Sequence, residues 1–510
     1  MKKAFFIIAC AFALSSISSC KKFLDINTDP DRLAAEQTDI AQLLTSVTAN
    51  VGFTGGSDLQ RFSALIAQQY SGQSTGAQNQ TQDYEKYLIT GSDVNNLFGS
   101  IYATTLNDIE VIIRKANAEN SPHYSGVAKI LKAYTYQISV DAWGDLPYSE
   151  AEKERENLTP KYDDDEQLYK NLISLLDQGI AEVGASSSTR SPGANSLIYP
   201  ESFATAKTKW IKFANTLKLR IYLHYSKFDR NFMVTQITSL VNSGAQFMAS
   251  NADNFEMPFA NQARRQNPIH QFELDRPNYL MANATLVDSM NVRQDPRRFT
   301  YFTQFPARSG NFKGAKAGDA ASQLYSRLHV FLRGDTTNNP TPVANGSYSA
   351  TSSTTGYTYT GDAPVRMLTY AEYNFIRAEA ALYGAPGDPQ TFFQEGIKAS
   401  MTMARVPVSA PTATVPGTST AYVTANGLLL GTADDKLKRI ITEKFIANYG
   451  VVMEPWTDWR RTGYPAINKA GNAVIADIPR SLLYPQNEID LNPNAPKQKS
   501  SMLERVFWDK

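Results

Sequence analysis

The chain has 510 residues, with 50 Lys and Arg against 49 Asp and Glu, which gives a formal charge of +1. This balance argues against a nucleic-acid-binding protein, because such proteins need a concentrated basic face. The two cysteines are Cys10 and Cys20, so the sequence offers no cysteine metal cluster and, once a leader containing Cys10 is removed, no internal disulfide.

The first residues have the parts of a secretory signal. A start with two lysines is followed by an apolar run from Ala4 to Leu14, then by four serines around an isoleucine, and then by Cys20. The apolar run is about half the ~20 residues of a membrane-spanning helix. A cysteine at this place resembles a lipobox, whose thiol is acylated, as with palmitate, and becomes the first mature residue. We predict a signal peptide at 1–19 and a lipidated tether at 20–39, with an ordinary signal peptide as the alternative.

The tether superficially matches a calcium-binding loop. Asp25, Asn27, Asp29 and Asp31 alternate along it. The sixth position of such a loop needs Gly for its sharp turn, and here it is Pro30, whose φ is fixed near about −65°. We therefore interpret the segment as an acidic entry into the next helix and predict no metal site.

Residues 40–510 show mainly the 3.6-residue periodicity of amphipathic helices. Thr369 and Glu372 predict a capping box, and Asp388 is the expected cap of the following helix. Strand patterns are few, and the best candidate is Tyr357–Thr360. The sequence therefore predicts a mostly helical, all-α domain at 40–510 with minor β-hairpins. The clearest apolar helix faces lie at 102–113, 127–138, 168–180, 210–221, 371–382, 393–404 and 437–445.

Long irregular loops separate these helices, the longest at Asn251–Tyr279, Phe305–Asp362 and Pro407–Gly431. A compact domain seldom carries loops beyond about 15 residues unless they have a function or are disordered. Aromatic side chains in or beside such loops could stack on the apolar faces of sugars. On loop position alone, we predict five aromatic ligand contacts. They are Tyr84, Tyr87, Trp143, Tyr279 and Phe312.

Motifs for catalysis are weak. Gly72–Gly76 reads G-x-S-x-G, but no buried strand precedes it and no apolar helix face follows, so a flexible loop is the better interpretation. The four histidines are far apart in sequence and form no H-E-x-x-H motif. Asp141 and Asp145 could form a glycosidase pair only if they faced each other across a cleft. We predict no catalytic residue and no cofactor, and keep a surface hydrolase of glycans or esters as an alternative.

Two segments are dense in unusual residues. In Asp141–Tyr148, Trp143 either faces a ligand or fills the turn against the core. In Glu454–Pro465, Trp456 and Trp459 lie beside two arginines that could stack on their rings. The preferred interpretation of the second segment is a structural pin between helices.

These segments, together with others in a fixed order, make the chain resemble the SusD/RagB family of nutrient-binding outer-membrane lipoproteins, in its SusD-like branch. The resemblance covers almost the whole chain. The segments that carry it are Cys20–Pro30, Asp141–Tyr148, Trp210–Arg220, Leu368–Ala381, Trp459–Pro465 and Ile478–Pro485.

The resemblance implies a helical body with tetratricopeptide-like helix pairs, although no 34-residue repeat is visible in the sequence. It also implies a lipid-anchored protein of the outer membrane that faces the cell exterior and is not an enzyme. Such a protein captures an oligosaccharide or a peptide and delivers it to a SusC-like TonB-dependent barrel, which it covers as a lid. A helical protein-interaction scaffold is a second alternative.

Overall fold

The structure is a computed structural model that describes residues 37–72, 79–153, 156–320, 322, 324–344, 346 and 356–510. Cys20, the calcium-like tether and most of the G-x-S-x-G segment lie outside these residues. About half of the chain is helical and about 5% is strand, which confirms the predicted mostly helical fold. No helix in the described part has the length and apolar character needed to cross a membrane.

The first half of the chain builds a layer of helices in which neighbours in sequence pack on each other. α5 packs on α6, α6 on α7, and α7 on α8, while α1 covers α5. These are the pairs that the tetratricopeptide-like expectation describes, and a π-helix at Ser100–Leu106 leads into α5. The helices are α1 Ile40–Thr54, α2 Asp58–Ile66, α3 Gln80–Glu85, α4 Asn95–Gly99, α5 Asn107–Ala118, α6 Pro122–Trp143, α7 Asp165–Val183, α8 Phe203–His224 and α9 Arg230–Asn242.

The second half alternates short helices with long connections. Its main helix pair is α14 with α15, and α14 also packs on α17 and α8. Short 3-10 turns lie at Asn251–Asp253 and Phe507–Asp509. The helices are α10 Pro268–Asp275, α11 Ala284–Val292, α12 Arg298–Tyr301, α13 Val330–Arg333, α14 Tyr370–Leu382, α15 Pro389–Met403, α16 Ser419–Asn426, α17 Ala433–Ala447, α18 Glu454–Thr462 and α19 Gln486–Leu491.

The strands of the described residues form small antiparallel two-stranded sheets. β2 pairs with β3, whereas β1 pairs with β5 and β4 with β6. The last two pairings join segments far apart in sequence, so they are not the local hairpins expected. Tyr357–Thr360 forms no strand, and Tyr359 makes an isolated bridge to Thr336. The strands are β1 Tyr70–Ser71, β2 Leu146–Pro147, β3 Tyr162–Asp163, β4 Phe255–Met257, β5 Met281–Ala282 and β6 Val365–Leu368.

Two glycines let α6 and α7 approach closely. A Cβ at Gly126 would lie 2.7 Å from the carbonyl oxygen of Gly179, and a Cβ at Gly179 would lie 2.8 Å from Cγ1 of Ile130. The close approach is therefore available only to residues without a side chain, which explains glycines in the middle of two helices where they cost stability.

We expect Gly126→Ala to lower the free energy of unfolding by about 1–2 kcal/mol, because overpacking outweighs the helix propensity that alanine gains. Gly99, on α4, has no atom within 4 Å of its Cβ position. Gly99→Ala is the matched control and should be neutral or stabilising by up to about 1 kcal/mol. Urea unfolding of both variants checks this, and equal effects would show that the glycine contact is not tight.

Charged side chains meet in the centre of the fold, and we call this group the ionic core. Arg220 donates to both carboxylate oxygens of Glu372 at 2.8 Å and lies 3.3 Å from Glu454. Lys444 lies 3.4 Å from Glu454. The members are Asp141, Arg220, His224, Glu372, Lys444, Glu454 and Asp458, all essentially buried.

Neighbouring charges in the ionic core shift one another's pKa values. Burial opposes the ionised form of Glu454, but Arg220, His224 and Lys444 outweigh it and hold the pKa of Glu454 well below its ordinary value. Burial likewise opposes a charged His224, but Asp141 and Glu454 raise the pKa of its imidazole. Glu454 and His224 are therefore stabilised in their charged forms, whereas burial raises the pKa of Glu372 more than Arg220 and Lys444 lower it.

The ionic core also explains a departure from the predicted capping box. The Thr369 hydroxyl accepts a hydrogen bond from the Glu372 N–H at 3.2 Å and caps α14 as expected. The Glu372 carboxylate binds Arg220 instead of returning to the cap. Asp388 caps α15 as predicted.

The segment Glu454–Pro465 is the pin that the sequence predicts. Arg461 is buried and donates to both oxygens of Glu379, at 2.5 and 2.6 Å. The guanidinium of Arg460 lies between two rings, 4.1 Å from the centroid of Trp456 and 4.5 Å from that of Trp508. The segment thus fastens α18 to α14 and to the C-terminal turn.

Candidate functional site

An open groove of about 680 Å³ lies where α11, the start of the loop after residue 315, α17 and the segment after α18 meet. Such a volume falls within the roughly 300–1,000 Å³ of small-molecule sites. Its surface is mixed, with amides, hydroxyls and charged groups beside aliphatic carbon. The lining residues that matter below are Gln68, Asn283, Thr285, Asp288, Arg293, Lys316, Gly318, Asp319, Lys438, Asn468, Lys469 and Gly471.

The floor of the groove is held by Gln68, which follows α2. Its backbone has φ 59°, a left-handed conformation that non-glycine residues seldom adopt. Its side-chain oxygen accepts from the Thr285 hydroxyl at 2.6 Å, and its amide nitrogen donates to the Asn468 carbonyl. Because both ends of the amide are used, Gln68 ties α11 to the segment after α18 and fixes the width of the floor.

One wall is formed by two loops in backbone contact. The N–H of Gly471 donates to the Ala317 carbonyl at 3.2 Å. Gly318 has φ +85°, and a Cβ there would lie 2.7 Å from the Gly471 nitrogen. Glycine is therefore required at position 318 both for the backbone conformation and for the close approach.

Glu85, at the end of α3, holds this wall from behind. One carboxylate oxygen accepts from the Ser71 hydroxyl at 2.5 Å and from the Gly72 N–H at 3.1 Å. The other accepts from the Gly318 N–H at 3.2 Å. Burial raises the pKa of Glu85 more than these hydrogen bonds lower it, and no cationic side chain in the described part of the chain forms an ion pair with it.

We expect Glu85 to make the protein less stable as the pH rises. Its folded-state pKa is raised, so its favourable contribution is present below the unfolded pKa of about 4.3 and is lost as pH passes through the folded value. Urea unfolding of wild type and Glu85→Gln at pH 4.5 and pH 8 measures this. The Glu85→Gln substitution should lower the free energy of unfolding more at pH 4.5 than at pH 8. A loss that grows with pH would contradict the raised pKa of Glu85.

Aromatic rings lie at the rim, outside the groove itself. The ammonium of Lys313 lies 4.9 Å from the ring centroid of Tyr325 and 5.6 Å from that of Phe305. The Tyr325 hydroxyl donates to Asp319 at 3.3 Å, and Asp319 lines the groove. This part of the predicted loop Phe305–Asp362 therefore borders the site.

A second recess of about 410 Å³ adjoins the groove and shares Arg293 and Lys438 with it. Arg293 is fixed by hydrogen bonds to the carbonyl and hydroxyl of Ser289, at 2.8 and 2.9 Å. Burial raises the pKa of Asp288, on the same helix, although Lys316 opposes the shift. Together the two cavities, of about 680 and 410 Å³, form an extended cleft of mixed polar and apolar surface.

The five aromatic residues predicted as ligand contacts do not line this groove. Tyr84 and Trp143 are buried, with Tyr84 edge-on to Phe62 at 4.6 Å and Trp143 donating to the Leu483 carbonyl at 3.0 Å. Trp143 thus fills the turn after α6, the second of its two proposed roles.

Of the other three, Tyr87 lies behind the groove wall, and its hydroxyl accepts from the Ala470 N–H at 3.2 Å. Phe312 is buried under the guanidinium of Arg298, 5.4 Å away. Tyr279 is partly exposed and lies edge-on to Phe272. The structure brings none of the five together at one surface, and their contact with a ligand stays a prediction.

The groove residues carry no local sequence signal. Gln68, Thr285, Lys438 and Asn468 come from four separate segments, each ordinary in composition. The positive φ of Gln68 is invisible in sequence. Only the long loop that supplies Lys316 and Asp319 was singled out, by its length.

The carboxylates considered for catalysis or metal binding have other partners. Asp141 accepts from Tyr169 and from the Trp508 indole N–H at 3.1 Å. It lies with His224 and Glu454 in a group of the size that a metal ion needs, but Arg220 supplies the positive charge there. Asp145 lies with Asp164 and Asp165 and accepts from the Asp165 N–H at 3.0 Å. Neither carboxylate lines the groove.

Comparison with known proteins gives one family. Residues 31–485 match the family model SusD-like_2, described as starch-binding and associating with the outer membrane. No curated protein matches the chain.

Solved structures share the fold. A protein described as chitin-binding is 23% identical, with TM-score 0.70 over 92% of this chain and 100% of its own. A SusD homolog from Bacteroides fragilis is 23% identical, with TM-score 0.69 over 89% and 94%. A chitin-binding SusD homolog from Flavobacterium johnsoniae is 20% identical, with TM-score 0.71 over 92% and 98%.

Proposed function

The chain belongs to the SusD-like family, whose members are described as starch-binding and associated with the outer membrane, and from this premise we propose that it captures a carbohydrate at the cell surface. The ligand would lie in the groove and pass to a SusC-like TonB-dependent barrel, which the protein covers as a lid. An acyl chain on Cys20 would hold the protein in the membrane. The protein binds its ligand without transforming it.

The observation that carries this proposal is the open groove, lined by amides, hydroxyls and charged groups beside aliphatic carbon, within a chain of this family. Its walls are held by backbone contacts at Gly318 and Gly471 and by the Gln68 amide, so the shape exists before a ligand arrives. Preformed sites avoid the entropic cost of ordering loops on binding. Exposed groups such as the Asn468 amide remain available for sugar hydroxyls.

Calorimetry with a panel of neutral and acidic polysaccharide fragments tests ligand capture. We expect one fragment class to saturate binding, with no hydrolysis product on prolonged incubation. Asn468→Ala should weaken that binding about fivefold, the worth of one ~1 kcal/mol hydrogen bond. Asn261→Ala, at an exposed position outside the groove, should leave affinity unchanged.

The same panel separates the groove from the aromatic residues. If Tyr279→Ala abolishes binding and Asn468→Ala does not, the ligand lies elsewhere than in the groove. Product formation from any fragment would instead favour the surface hydrolase.

The anchor and the barrel are tested in cells. Cys20→Ser should release the protein from the membrane fraction while calorimetric affinity for the ligand stays the same. Wild-type protein extracted from native membranes should bring a large β-barrel with it. A serine variant that still sediments with membranes would argue against acylation at Cys20.

A further inference from the structure

Cationic side chains border the groove and the adjoining recess, and we name Lys316, Lys438, Arg439 and Lys469 the basic rim. Lys438 lines both cavities, Lys316 and Lys469 line the groove, and Arg439 lines the recess. All four are exposed. Within the described residues, no carboxylate lies within 4.0 Å of their charged nitrogens. The basic rim therefore carries positive charge that no ion pair within the described residues compensates.

Five cations, the basic rim and Arg293, line the two cavities together with three acids, Asp288, Asp319 and Asp435. The acids offset part of the positive charge and leave an excess of two cations. The Asp435 carboxylate accepts from the N–H and hydroxyl of Thr432, at 2.9 and 2.8 Å, and caps α17. Asp319 accepts from the Lys316 N–H at 3.1 Å and from the Tyr325 hydroxyl. The surface therefore keeps a positive potential, which favours an anionic ligand.

Among the described residues, no aromatic ring lines either cavity. A site for neutral sugars commonly uses ring faces, whereas carboxylate and sulfate groups are bound by lysine and arginine. The combination of free cations, amides and no ring is suited to a hydroxyl-rich ligand with negative charge.

We propose that the groove and recess bind an acidic oligosaccharide, with its carboxylate or sulfate groups on the basic rim and its hydroxyls on the groove amides. This inference rests on the proposed function and names its ligand class.

Calorimetry at low salt with four probes of similar length tests it: hexagalacturonate, its carboxyl-reduced neutral form, a sulfated galactan hexasaccharide and hexaglutamate. We expect an acidic oligosaccharide to bind at least about tenfold more tightly than the neutral form, and to lose that advantage at 0.5 M salt because screening weakens exposed charge pairs. Comparison of the carboxylated and sulfated probes identifies the acidic group.

Two variants test whether the basic rim supplies the positive charge that binds the ligand. Lys438→Ala/Arg439→Ala should weaken binding of the acidic oligosaccharide about fivefold, from two exposed pairs worth ~0.5 kcal/mol each. Lys436→Ala is the matched control, since Lys436 is on the same helix but does not line either cavity. It should change affinity less than twofold.

The outcomes are distinct. Equal binding of neutral and acidic forms, or equal effects of the control and the double variant, would overturn this inference and leave carbohydrate capture standing. Binding of hexaglutamate alone would show that the ligand is an acidic peptide rather than an acidic oligosaccharide. No binding to any fragment of the broader panel would overturn the proposed function itself.

Discussion

Arg220→Leu is expected to lower the free energy of unfolding by about 4 kcal/mol, since breaking a buried ion pair from one side costs roughly 3–5 kcal/mol. The guanidinium is fully buried and serves Glu372 and Glu454 at once, and it also donates to the Met367 carbonyl at 2.8 Å. Without it, the buried Glu372 and Glu454 keep Lys444 as a cationic neighbour, at 3.9 and 3.4 Å, but lose the closer guanidinium pair. Urea unfolding of wild type and variant measures the loss.

Arg405→Leu is the control for this prediction. Arg405 pairs with Asp335, but the two side chains are 68% and 59% exposed. An exposed pair contributes roughly 0–1 kcal/mol, so the same substitution should have little effect there. Equal losses at the two positions would mean that burial of the ionic core is not what makes Arg220 important.

Trp508→Ala is expected to cost about 4 kcal/mol, in the range for deleting a buried large aromatic side chain. Its ring covers the Arg460 guanidinium, and its indole N–H donates to Asp141 at 3.1 Å. Burial lowers the pKa of Arg460 to about 10, with Asp141 and Asp509 opposing the shift. Loss of the ring would leave this cation with one aromatic neighbour, Trp456.

Trp508→Phe separates the ring from the hydrogen bond. Phenylalanine keeps an aromatic face for Arg460 but cannot donate to Asp141, so the expected loss is about 1–2 kcal/mol. If phenylalanine were as damaging as alanine, the hydrogen bond and not the packing would dominate at this position. Urea midpoints of the two variants decide between these accounts.

The helices were predictable because their signals are local. Apolar faces such as Val127–Ile138 and Leu168–Ile180 lie within α6 and α7, and Asp388 caps α15. The pin around Trp456 was predictable for the same reason, since its rings and arginines are adjacent in sequence.

Pairings across the chain were not predictable. Arg220 pairs with Glu372, which lies 152 positions further along the chain. Nothing in the sequence near either residue shows that its charge is buried rather than exposed. The predicted capping box at Thr369 failed in its second half for this reason, because a distant arginine attracts the Glu372 carboxylate more strongly than a backbone N–H does.

The candidate groove was even less predictable from the sequence, because it too is built from distant segments. Choosing aromatic residues by loop position favoured Tyr84, Tyr87 and Phe312, which the fold buries, because most aromatic side chains serve packing. The groove instead combines residues such as Gln68, Thr285 and Lys438 from distant segments. The groove forms only because distant loops meet in the fold, and hydrophobic periodicity carries no information about such contacts.

The ionic core has a consequence for the order in which the chain acquires its structure. Glu454 and Asp458 supply the nearest negative charges to Lys444, at 3.4 and 3.0 Å, and Glu454 also lies 3.4 Å from His224. Until these late residues arrive, Lys444 would have to be buried without its two nearest carboxylates and Arg220 without Glu454, which is costly. Final closure of the interior is therefore postponed until almost the whole polypeptide is present, and truncated fragments should remain loosely packed and open to proteases.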